Sequence, residues 1–185
     1  AGLRAEARAR LEETVARFPA SLKVHDRWRN RMLVDLGAEL MRHEYAGHVT
    51  EARDRPTAQW YAGYASLIAA ERHTLDNRRI EAENAYTDSI ARFVDSAAGN
   101  EDYADTANHY AVLALAGRAD IRLQRKNLTA AAKDILRAVE LRERSLDEDD
   151  GLKRKPRSIG ARVQAALTAA GKAELSEQLA NALGQ

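Results

Sequence analysis

One pattern of small and bulky residues recurs in three separated parts of this 185-residue chain, and it restricts the fold more than any other feature. Its clearest copy is KNLTAAAKDILRAVEL, residues 126–141. When LRAEARARLEETVARFP (3–19) and NRRIEAENAYTDSIARF (77–93) are set beside it, Ala131 matches Ala82 and Ala7, and Ile135 matches Tyr86 and Leu11. Further along, Ala138 matches Ser89 and Thr14, and Val139 matches Ile90 and Val15. Helical geometry puts these positions on one face, where the small residues let a second helix come close and the bulky ones fill the gap. Twelve residues before Ala82 and Ala131 stand Ala70 and Ala119, each in the preceding predicted helix. The repeating unit is therefore a helical hairpin with a small residue on both arms.

Composition agrees with an all-α chain. It is 45% hydrophobic but only 5% aromatic, has three prolines, and contains no strand-forming runs. Breakers divide it into helices expected near 2–18, 21–36, 38–52, 57–75, 78–97, 102–125, 128–146, 157–169 and 172–183. Pro19 ends the first, and Pro56 sits in the first turn of the fourth. "DN" at 76–77, "AGN" at 98–100, "KN" at 126–127 and Gly171 supply residues that tolerate the left-handed backbone ending a helix. The conspicuous loop is DEDDGLKRKPR, 147–157, ahead of two C-terminal capping helices. This length suits a single cooperative domain over 1–185.

A formal net charge of +1 provides no long-range field to attract nucleic acid or an anionic membrane. The absence of cysteine excludes disulfides, thiolate catalysis and cysteine-ligated metals. No apolar run reaches the roughly 20 residues needed to span a bilayer, so no membrane insertion is expected. Arginine far outnumbers lysine, a bias that fits a GC-rich bacterial genome. The start at Ala1 without methionine fits a mature or excised piece, and an opening helix that lacks a partner before it is either a capping helix or a cut through a longer array.

The hairpin unit resembles the tetratricopeptide repeat, whose first helix carries a small residue at a close contact and whose second reads alanine, then a large residue, then alanine, often with proline after it. Ala70, Ala82, Tyr86 and Ser89 occupy those places in one hairpin; Ala119, Ala131, Ile135 and Ala138 do so in the next, and Pro19 fills the proline slot after the copy at 3–19. The resemblance spans 1–19, 57–97 and 102–146, with Tyr45 in the large position of a degenerate unit. It departs at His73 and Arg122, which stand where the family has tyrosine, and at Val94 and Glu143, which stand where it has proline. Ala82 and Ala131 also lie farther apart than the family's period of about 34 residues, so the helices must be longer or the turns must carry insertions. The fold it implies is a right-handed α-α superhelix of antiparallel hairpins. The concave groove it implies is lined by Tyr64, Leu67, Glu71 and Thr74 from one first helix and by Leu113, Ala116, Asp120 and Leu123 from the next. Acid and apolar groups there favour an apolar or basic helical segment as ligand over a carboxylate.

Catalytic signals are weak. In HEYAGH, His43 and His48 are five residues apart, about 140° around a helix, whereas zinc ligation of the HExxH kind needs four. His25, His73 and His109 stand singly, and their bland reading is that of ordinary imidazoles. No nucleophile elbow or phosphate-binding glycine loop is present. Carboxylates alternate with arginines, as on a solvated, internally paired helix surface. KRKPR stands just beyond DEDD, with only Gly151 and Leu152 between, so a self-paired loop is expected there in place of a nucleic-acid contact. Trp60, Tyr61 and Tyr64, followed by Leu67 and Ile68, read first as core packing between hairpins and second as a sticky groove wall.

The reading is thus a noncatalytic helical-repeat domain, without cofactor or metal, that binds a protein or peptide segment in a groove. A second hypothesis is an enzyme or small-molecule sensor with a polar interhelical pocket gathering His25, His43 or His48 with carboxylates. Uncapped terminal helices offer a third route, self-association.

Overall fold

A computed structural model describes residues 55–184. The helices expected near 2–18, 21–36 and 38–52, the pattern copy at 3–19, Tyr45, and His25, His43 and His48 lie outside the described residues. Among those described, six α-helices follow one another: α1 (Arg55–Leu75), α2 (Arg79–Gly99), α3 (Glu101–Gln124), α4 (Leu128–Arg142), α5 (Pro156–Ala169) and α6 (Ala173–Ala182). A 3₁₀ turn, Glu143–Asp147, extends α4, and no strand occurs among the described residues. The first three helices run 21, 21 and 24 residues, so helix length contributes to the wide spacing of the matched alanines.

Each helix packs on the next, α1 on α2, α2 on α3, α3 on α4 and α5 on α6, while α3 also touches α1 and α5. Cross-helix bonds give the direction. Ser89 and Ser96 on α2 donate to the carbonyls of Gly63 and Pro56 on α1, both at 2.8 Å, so the later residue meets the earlier partner and the helices are antiparallel. Both serines are completely buried, and these bonds satisfy their hydroxyls. The seam is narrow because Gly63 faces the Phe93 ring, where a Cβ would sit 3.2 Å from Cδ1.

The small positions of the sequence pattern form these seams. Ala70, Ala82, Ala119, Ala131 and Ala138 are all fully enclosed, and the bulky Tyr86 and Ile135 are equally buried. α3 is enclosed on more than one side. Ala107, Ala111, Ala114 and Ile121 join a core with α1 and α2, while Val112, Leu115, Ala116 and Ala119 join a core with α4, α5 and α6. A helix surrounded in this way has no polar stripe to show, and every residue from Ala111 to Gly117 is buried.

The three hairpin turns share one hydrogen-bond plan, the Schellman motif, in which a left-handed residue lets two amides recover the last helical carbonyls. Asn77 (φ 56°) donates to Thr74 O, and Arg78 to His73 O. Lys126 (φ 62°) donates to Leu123 O, and Asn127 to Arg122 O. Gly171 (φ 71°) donates to Thr168 O, and Lys172 to Leu167 O. In every case the residue after the left-handed one begins the next helix, accepting from Ala82, Ala131 and Ser176 in turn. Ser176 is thereby the third occupant of the small position among the described residues, a copy the sequence comparison overlooks.

Two turn expectations need correction. At 126–127 it is Lys126 that turns left-handed, because Asn127 is used as the cap of α4, its Oδ1 accepting from the Ala130 amide at 3.4 Å. Asn100 is extended (φ −159°) and caps α3 by accepting from the Asp102 amide at 2.8 Å.

Candidate functional site

The strongest convergence of polar side chains lies where the loop after the 3₁₀ turn crosses α1, α2 and α3. Asp150 organises that loop. Its Oδ1 accepts from the amides of Leu152 and Arg154, both at 2.8 Å, and its Oδ2 accepts from Arg154 Nε at 2.9 Å. The Asp150 amide returns a bond to Arg154 O at 2.9 Å, and Lys153 takes a left-handed φ of 62° to close the turn. A carboxylate that binds its own backbone two and four residues on is a common way to hold a tight turn.

The turn is pinned to the helices at three points. Glu71 on α1 accepts from the Gly151 amide at 2.7 Å. Asp120 on α3, almost wholly buried, accepts from Arg154 Nη1 at 2.7 Å and from Gln124 at 3.2 Å, and its other oxygen accepts from Arg162 on α5. Arg154 Nη2 also donates to the Tyr86 hydroxyl at 3.3 Å, while Thr74 stands 3.5 Å from the same oxygen. A Cβ at Gly151 would lie 1.8 Å from Glu71 Oε2, so a side chain there would push the Glu71 carboxylate off the amide it accepts. Burial pushes the Tyr86 phenol up to about 12, against the opposing pull of Arg154. Arg154 loses solvation in the node, but Tyr86, Asp150 and Asp120 outweigh that and hold its pKa above the ordinary value. The arrangement thus binds a guanidinium and a backbone N–H.

Of the eight groove positions expected from the sequence, Glu71, Thr74 and Asp120 converge on this node. Tyr64 and Leu67 belong to the α1–α2–α3 core, Ala116 belongs to the α3–α6 core, and Leu123 packs against the latter. Leu113 is buried as well. Asp150, Gly151, Arg154 and Arg162 are the participants the sequence reading did not single out. Their local signal is the DDG turn followed by arginine, but nothing in it points to helices so distant along the chain. The acids and bases of the loop do pair with one another: Asp150 with Arg154, and Asp147 with Arg157 at 2.8 Å.

The aromatic group serves the core. Trp60 stacks on Tyr64 with centroids 5.5 Å apart, meets Phe93 and Tyr110 edge-on, and donates its indole N–H to Thr106 at 2.9 Å. Two further polar clusters tie helices together. Asp134 on α4 receives Arg118 through both oxygens, at 2.7 and 3.0 Å, and Arg122 at 2.8 Å, and Arg122 reaches on to Glu83 at 2.9 Å. On the far side, His109 Nδ1 stands 3.1 Å from Ser145 Oγ, and its Nε2 lies 3.8 Å from Glu148. Ser145 is completely buried and its oxygen also accepts from Arg142, so the hydroxyl has no path to a substrate and acts as a tie between α3 and the 3₁₀ turn.

Among the described residues there is no group of three or more potential metal ligands, and no helix long and apolar enough to cross a membrane. No family model, curated protein or solved structure matches this chain.

Proposed function

We propose that this chain is a noncatalytic helical-repeat module, tetratricopeptide-like in its hairpin unit and superhelical in its stacking, that holds a segment of a partner protein against its first helices. The observation that carries this reading is the node itself: carboxylates from α1 and α3, on successive hairpins, jointly grip a tight turn through its backbone and one arginine. Stacked hairpins provide such a face, and recognition of this kind needs neither cofactor nor metal. Acidic side chains at Glu71 and Asp120 favour a basic segment, because guanidinium–carboxylate bonds are directional and stronger than neutral ones.

The test is affinity capture by the intact chain beside a Thr74→Arg variant, whose new cation would face the same acids at a position only half-buried. Saturable capture by the native chain, weakened by roughly tenfold or more in the variant at an unchanged melting temperature, is the expected result. Equal capture by both chains would place any partner elsewhere on the molecule. The enzyme or sensor alternative gathers His25, His43 or His48, which lie outside the described residues, and no observed geometry favours it.

A further inference from the structure

The segment that fills the node is attached in an unusual way. Leu146 before it and Pro156 after it are fully buried, so both ends are fixed by apolar packing. Between them the loop is held chiefly by polar bonds: Glu71 to the Gly151 amide, Asp120 and Tyr86 to Arg154, and Asp150 to its own turn. Glu148, Asp149, Lys153 and Lys155 are exposed. Polar anchorage between two apolar hinges permits local opening without unpacking a helix, because releasing the turn exposes little apolar surface.

The surface beneath the loop is specific in what it accepts. Glu71 accepts the Gly151 amide at close range, and a Cβ there would have to displace its carboxylate from that bond. Asp120 and the Tyr86 hydroxyl present two acceptors to one guanidinium. When the loop leaves, Arg162 remains on one oxygen of Asp120 and Gln124 on the other, so the carboxylate stays oriented while the place of the Arg154 guanidinium opens on its second oxygen. Lysine would fit less well, since a single ammonium lacks the planar fork that spans Asp120 and Tyr86 here.

We propose that residues 150–154 are an autoinhibitory strap, filling from within the chain a site made by Glu71, Tyr86 and Asp120 that accepts an arginine-bearing turn from a partner. This rests on the partner-binding reading above and adds to it both the chemistry of the ligand and its regulation. The strap holds the face closed until a segment with a glycine amide and an arginine in the same relative places competes for it. Exchange of one such turn for another preserves every bond to the helices, so the competition is decided by local concentration and by contacts outside the node.

The experiment uses the full chain and a fluorescent peptide of its own residues 147–158, DEDDGLKRKPRS, read by anisotropy. The native chain is expected to bind it weakly, and Arg154→Ala, whose own strap is loosened, about tenfold or more tightly. A peptide with the same Arg154→Ala change should lose that binding, and raising salt from about 0.05 to about 0.5 M should weaken it. Equal binding by both chains, or binding indifferent to the peptide arginine, overturns the proposal. Hydrogen exchange on the native chain gives a second reading that does not depend on the variant folding. The amides of Gly151, Leu152 and Arg154 should exchange at least roughly 100-fold faster than Leu115 and without denaturant dependence. Exchange only together with Leu115 overturns the strap. If the strap fails in this way while a partner is still captured at Thr74, the partner-binding reading survives without it.

Discussion

Gly117 on α3 lies so close to the Tyr86 ring that a Cβ built on it would fall 2.4 Å from Cε1 and Cζ. The contact joins the first hairpin to the second and positions the Tyr86 hydroxyl for Arg154. Gly117→Ala is therefore expected to destabilise the chain by about 1–3 kcal/mol through overpacking, although alanine favours an isolated helix by about 1 kcal/mol. Urea denaturation measures this, and a stabilised variant would mean that the two hairpins are not in contact there.

Asp134 is the buried hub of the α3–α4 ion network, its side chain 5% exposed beneath Arg118 and Arg122. Asp134→Ala leaves Arg122 to Glu83 alone and Arg118 to the Thr87 hydroxyl, and should cost about 1–3 kcal/mol. Arg137, paired with Glu140 in the open, is the control, and Arg137→Ala should stay within about 0.5 kcal/mol. Parallel unfolding curves for the two variants check the contrast.

The seams were legible in the sequence because close helix approach demands small residues at fixed helical intervals, and Ala70, Ala82, Ala119 and Ala131 show that interval directly. The turn at Asn77 was legible for the same kind of reason, a local conformational preference. What escaped is long-range. Glu71 and Gly151 are 80 residues apart, and no periodicity encodes their meeting. Lys126 went left-handed because Asn127 was needed as a cap, a competition between neighbours that residue preferences alone do not resolve. Counting groove positions from the alanines put Tyr64 and Ala116 on the binding face, whereas the packing of α3 against helices on several sides draws both into cores.

Titration should expose two buried groups with opposite signs. Burial is the main cause that holds His109 below its ordinary 6.5, with Arg142 and Arg144 reinforcing it and Glu148 and Asp105 opposing. The unfolded chain then binds the proton more readily, so this contribution to stability is complete above about pH 6.5 and is lost as pH falls through the lower folded value. Denaturant midpoints followed from neutral to mildly acidic pH should fall less in His109→Gln than in the native chain.

Tyr86 behaves conversely. With its phenol raised to about 12 in the folded chain, its contribution is complete below the ordinary value near 10 and is lost as pH rises through about 12. Ultraviolet absorbance of tyrosinate should show a late-ionising component that Tyr86→Phe diminishes. Ionisation of every tyrosine near 10 would mean that the phenol is not enclosed.

The account stands or falls on whether the α1–α3 face selects arginine. The most direct measurement is a peptide array, randomised at all but one position and probed with the full-length Arg154→Ala chain, in which the strap no longer supplies its own guanidinium. Enrichment of arginine over lysine, with glycine favoured three residues before it as Gly151 precedes Arg154, is the expected result. Enrichment of acidic residues, or no preference between arginine and lysine, would contradict it.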